Sequence, residues 1–168
     1  VFYVYAEQNY VVLEIEIYDK IKGLVSNQFI PVEGKLITPH TDTLRSLFSP
    51  FDNDAFISYE SKSFDNFDEL YSAELGAVYH EQSRSGYIVG SIEQGIWKTG
   101  IRTSKNQDRS VNIQAIVGFT AKDVTRDNMP HGSLEGQRIQ SAKVLIGQFS
   151  DWRKGMDTYA SHTKAMQK

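Results

Sequence analysis

Apolar and polar residues alternate along much of this chain with a period of two. In residues 11–18, Leu13, Ile15 and Ile17 point one way while Glu14 and Glu16 point the other. Strict alternation with β-branched residues is the mark of a half-buried strand. Similar runs predict strands at 23–30, 35–38, 55–59, 71–80, 86–92, 96–103 and 111–119. The run 138–149 carries Ile139, Val144, Ile146 and Phe149, which hold no helical stripe, and it too is read as strand.

Turn residues punctuate these runs. "SRSGY" lies between two strands, and its Gly86 is able to supply the positive φ of a hairpin bulge. "SKNQDRS" reads as a longer polar hairpin loop, and "TRDNMPHGSLEGQ" as an irregular loop. Short strands at this spacing predict an antiparallel β-sandwich. The end of the chain differs. In "SDWRKGMDTYASHTKAMQK", Trp152, Met156, Tyr159, Thr163 and Met166 fall on one helical face. Ser150 is the expected N-cap, with Asp151 in the first turn against the helix dipole. Gly155 is expected to weaken this helix by about 1 kcal/mol relative to Ala. The predicted organisation is all-β, a sandwich of the supersandwich type over 1–149, closed by one helix or linker over 150–168.

Composition narrows the function. With 168 residues, 40% hydrophobic and 12% aromatic, the chain can bury one core. The net charge of −3 is spread out, with no basic stripe, which argues against nucleic acid as a partner. The absence of cysteine removes disulfides and zinc–thiolate sites. No apolar run approaches the roughly 20 residues that span a bilayer, so no membrane insertion is expected. The opening "VFYVYAEQNYVVLEIEIYD" has the pattern of the middle of a sheet, without an initial Met or a signal peptide. It predicts a chain whose earlier part is missing.

Two stretches could carry chemistry. In "SPFDNDAFISYE", Asp52, Asn53 and Asp54 sit between two aromatic anchors, Phe51 and Phe56, both expected to be buried. Three readings stay open: an Asx-turn that satisfies backbone N–H groups, a calcium site, or direct contact with sugar hydroxyls through fixed donors and acceptors. The loop lacks the spacing of an EF-hand. In "GSIEQGIWKTGI", Trp97 is either a core residue or a platform for the apolar face of a sugar, with Lys98 as donor. His40, His80, His131 and His162 are scattered without ligand spacing, and the sequence indicates no metal and no cofactor.

Taken together, "SPFDNDAFISYE", "SAELGAVYHEQSRSGYIVGSIEQGIWKTGI" and "FSDWRKGMDTYASHTKAM" resemble the N-terminal β-sandwich domain of bacterial α-galactosidase-like glycoside hydrolases, of the family 36 kind. The resemblance covers roughly residues 49–168, and the first forty residues match only in strand character and in "SNQFIPVEG". It implies a following catalytic (β/α)8 barrel that supplies both catalytic aspartates. This chain would then hold no catalytic residue, and Asp52 and Asp54 would not be that pair. It also implies that "FDND" and "IWKTG" lie over the barrel mouth and touch the sugar. The sequence departs from the usual form after "DND", where Ala55 and Phe56 stand in place of an aromatic and a basic residue.

The expected function is therefore a non-catalytic, carbohydrate-associated domain, with carbohydrate and the barrel as partners and a periplasmic or extracellular location. An autonomous carbohydrate-binding module and a structural or protein-interaction sandwich are the alternatives. The first predicts an uncovered apolar face, the second coplanar exposed rings, and the third neither.

Overall fold

The structure is a computed structural model, and it describes residues 1–37, 42–51, 58–108, 110–118 and 133–166. In chain order its elements are β1 (Phe2–Val4), β2 (Tyr10–Leu13), β3 (Glu16–Tyr18), β4 (Leu24–Ser26), β5 (Phe29–Leu36), β6 (Leu44–Phe48), β7 (Glu60–Ser63) and β8 (Glu69–Ala73). Then follow β9 (Leu75–His80), β10 (Gly86–Ser91), β11 (Thr99–Lys105), β12 (Val111–Val117), β13 (Leu134–Gly136), β14 (Arg138–Gln140), β15 (Val144–Phe149) and α1 (Trp152–Met166).

Two antiparallel sheets make the sandwich. One has seven strands in the order β1-β2-β15-β10-β9-β6-β7, and the other has four in the order β5-β12-β11-β8. The pairs β13–β4 and β14–β3 form two short ribbons. The chain is thus an all-β sandwich with a single C-terminal helix.

Neighbouring residues in the central strands face different layers. Val78, Val89 and Val144 join Ile101, Val111, Ile113, Ala115 and Val117 between the sheets. Their neighbours Ala77, Ile88 and Leu145 face the other way, against Tyr159 of α1. A strand covered on both sides reads as a nearly continuous apolar run, as "YIVG" does. Ile88 and Val89 are both fully buried, and each such side chain contributes about 1.5–3 kcal/mol.

Several expectations are corrected in detail. Residues 71–80 form two strands in different sheets, since β8 pairs with β11 while β9 pairs with β10. The break falls at Glu74, whose φ is 59°. In the 83–87 turn the positive φ belongs to Arg84 (63°). Gly86 serves another need there: a Cβ would lie 2.6 Å from the Tyr79 Cβ on the adjacent strand. The N-cap of α1 is Asp151 and not Ser150, because the Arg153 N–H donates to Asp151 Oδ1 at 3.0 Å. The Arg153 guanidinium, which donates to the same carboxylate, holds the Asp151 pKa far below the usual range.

The helix is not left bare. Gly155 and Tyr159 are buried against the seven-stranded sheet, and Trp152 stacks on Tyr79 with centroids 4.4 Å apart. The apolar stripe is therefore rotated from the expected one to include Gly155. A Cβ at that position would collide with Ile88 and with Phe149, at 2.6 Å. Glycine lets the helix axis approach the sheet.

Candidate functional site

Two chain crossings between the sheets meet at one end of the sandwich. One is the β8–β9 corner at Glu74. The other is the segment 92–98, which leads from β10 in the large sheet to β11 in the small one. The Glu74 N–H donates to the Thr99 carbonyl (2.8 Å), and the Ser91 N–H donates to the Glu74 carbonyl (2.8 Å). The Thr99 N–H donates to Glu74 Oε1 at 2.9 Å. One residue thus ties the ends of both strands. Its second carboxylate oxygen is buried without a partner. Burial pushes this carboxyl up to about 7, against the pull of the Thr99 N–H.

Beside this corner lies a cavity of about 590 Å³. The crossing segment provides Ile92, Glu93, Gln94, Ile96 and Trp97, the stretch before β15 provides Gln140, Ser141 and Ala142, and α1 provides Thr163 and Met166. Trp97 is held from behind: its indole N–H donates to the Gln140 carbonyl at 3.1 Å, and its ring meets Phe29 edge-on. Tyr159 ties the helix to the crossing, donating to the Ser91 carbonyl (2.9 Å) and accepting from the Gln94 amide (3.0 Å). Burial raises the Tyr159 pKa. Glu93 is the only carboxylate among the described lining residues, and Lys143 neutralises it at 2.6 Å. Burial pulls the Lys143 pKa down, but the Glu93 carboxylate outweighs it and the ammonium pKa is raised.

Most polar groups of this cavity are already engaged. Ser141 Oγ accepts from the Ile15 N–H and donates to the Ala142 carbonyl. Among the described residues the Gln140 side chain makes no hydrogen bond. What the cavity offers is an apolar wall of Ile92, Ile96, Trp97 and Met166 with amide groups at its edge. It suits an apolar body carrying hydroxyl or amide groups.

The expected site residues fall as follows. Trp97 lies in the crossing segment ahead of β11, not in a strand, and is only 8% exposed. Lys98 follows it, half-buried, with its ammonium 5.4 Å from the centre of the Phe51 ring. Phe51 is half-buried, less than expected of an anchor. Asp52, Asn53, Asp54 and Phe56 lie outside the described residues, as do His40 and His131. His80 is buried beside Asp42 (2.8 Å), and His162 bonds Tyr10 (2.9 Å). Among the described residues no group of His, Asp or Glu side chains is placed to hold a metal ion. None of their helices is long and apolar enough to cross a membrane.

Sequence reasoning missed Glu74, Gln94 and Gln140. Glu74 had one signal, a lone carboxylate inside the otherwise apolar "AELGAVY". No protein-family model matches the chain, and no curated protein matches it.

Proposed function

We propose that the chain is a non-catalytic, carbohydrate-associated β-sandwich domain of an exported α-galactosidase-like glycoside hydrolase. It packs on a catalytic (β/α)8 barrel of the same polypeptide and helps to shape the sugar pocket. The observation that carries this reading is the cavity at the crossing end. Its outer wall is apolar and uncovered, with Ile96 74% and Met166 45% exposed. Exposed apolar surface around a concavity is what an interface in a larger protein needs.

The motif resemblance supplies the family, and two further points support it. Trp97 is buried against Phe29 and Trp152 has one face stacked on Tyr79, so neither is the fully exposed ring that an autonomous module would stack on a sugar. The one carboxylate of the described cavity lining is paired with Lys143, whereas glycoside hydrolysis needs two carboxyl groups flanking the bond. In this reading Asp52, Asn53, Asp54 and Lys98 meet the sugar, while Trp97 braces the segment from inside. Lys98 lies over Phe51, the residue that precedes Asp52 in the chain.

The test is turnover of nitrophenyl glycosides of both anomers. The chain alone is expected to show none. Turnover that survives purification and depends on Asp52 or Asp54 overturns the proposal.

A further inference from the structure

The outer face of the four-stranded sheet carries a second feature, remote in character from the apolar cavity. Strand register places its outward side chains in two rows that cross all four strands. One row is Glu69, Ser104, Asn112 and Lys35, and the other is Tyr71, Arg102, Gln114 and Glu33. An exposed antiparallel sheet face is ordinarily polar. Here Arg102, Gln114 and Glu33 of the second row also form a relay that reaches Glu69 of the first. Arg102 Nε donates to Glu69 at 2.6 Å, Arg102 Nη1 donates to Gln114 Oε1 at 3.1 Å, and the Gln114 side-chain amide donates to Glu33 at 2.6 Å. The first row is pinned at Asn112 and Lys35. Asn112 exchanges two hydrogen bonds with Asn106, both 2.9 Å, and Lys35 pairs with Asp108 at 2.5 Å. Between the rows lies a depression of about 370 Å³.

We propose that this face binds a neutral oligosaccharide. Three features select that class. Glu69 and Asp108 are matched by Arg102 and Lys35, which leaves Glu33 as the one unmatched carboxylate of the rows, so the face presents little net charge to attract a polyion. Its groups nevertheless keep spare capacity. Arg102 has N–H groups beyond those used, Lys35 has further N–H donors, Glu33 has a second oxygen, and among the described residues the Ser104 hydroxyl makes no side-chain hydrogen bond. Sugar hydroxyls are donors and acceptors at once and suit such a mixed array. Finally, the side chains of the array already hydrogen-bond one another without ligand, so part of the ordering that binding needs is in place. Four strands set about 4.8 Å apart give it a span of roughly 14 Å, enough for a short oligosaccharide.

The choice of ligand class rests on the carbohydrate reading above, but the surface is separate from the cavity. The test is a titration of the ¹⁵N-labelled chain, followed by amide shifts, with neutral tri- and tetrasaccharides of galactose, glucose and mannose. A sulfated oligosaccharide is the charged control. Shifts are expected at 33–35, 69–71, 102–104 and 112–114. Ser104→Tyr, which fills the depression, and Gln114→Ala, which breaks the relay, should each weaken binding roughly tenfold or more. Gln94→Ala, in the cavity wall, should leave it unchanged. The amide spectrum of each variant verifies its fold. No shifts with any neutral sugar, shifts confined to 92–97, or preference for the sulfated ligand would each overturn the proposal. None of these outcomes bears on whether the chain hydrolyses glycosides, so the two readings fail separately.

Discussion

At Glu74 the chain leaves one sheet for the other with a φ of 59° on a residue that is not glycine. The cost of that conformation is offset by three hydrogen bonds to Thr99 and Ser91. Because burial raises this carboxyl from 4.5 to about 7, the folded state holds a proton that the unfolded state releases between those values. The stabilisation is full below pH 4.5 and is lost as pH rises toward 7, a change on the order of 3 kcal/mol. Urea unfolding across this range should therefore show stability falling with pH, and Glu74→Gln should flatten that slope. An unchanged slope in the variant would place the titration elsewhere. Gly155 yields a second prediction. Helix propensity alone says that Gly155→Ala stabilises by about 1 kcal/mol. The added methyl would meet Ile88 and Phe149, both buried, and overpacking of that kind costs about 1–3 kcal/mol. The packing cost should win, and calorimetry should show a lower Tm for the variant.

Among the elements, α1 shows how far the sequence could be read. Its existence and one-sided character were plain from Trp152, Met156 and Tyr159. The bed it lies on was not, because that bed consists of the outward residues Ala77, Ile88 and Leu145 of strands that also serve the inner core. Strands with two buried faces lose the alternation that distinguishes a face. The same ambiguity hid the β8–β9 break, since the residues on both sides of Glu74 look alike. β6 was missed because Arg45 and Ser46 interrupt its apolar pattern, although both neighbouring strands pair with it. Trp97 read as core or as platform, and Phe29 and Gln140, which hold it from behind, are far away in sequence. With Tyr159 tied to Ser91 and Gln94, the helix should be no fraying tail. Backbone amides near Gly155 and Tyr159 should exchange nearly as slowly as those of β10. Exchange as fast as at the chain ends would show that the packing is not maintained in solution. Tyr159→Phe removes both bonds of the hydroxyl and should cost about 1–2 kcal/mol in urea unfolding.

The whole molecule is a sandwich closed on its large sheet by a helix, polar on its small sheet, and open at the end where both crossings meet. A core of this kind accounts for folding, and it leaves the crossing end with exposed Ile96 and Met166, which no other described residue covers fully. Substituting Ile96→Asp should leave the Tm of the chain nearly unchanged, since the side chain is already in water. The most direct measurement of the packing role is hydrogen exchange at 92–97 and 163–166, compared between the chain alone and the polypeptide that carries the proposed barrel. Marked slowing at both segments, abolished by Ile96→Asp, is the predicted result. Equal exchange in the two, with any slowing found instead over the outer face of the four-stranded sheet, would contradict it.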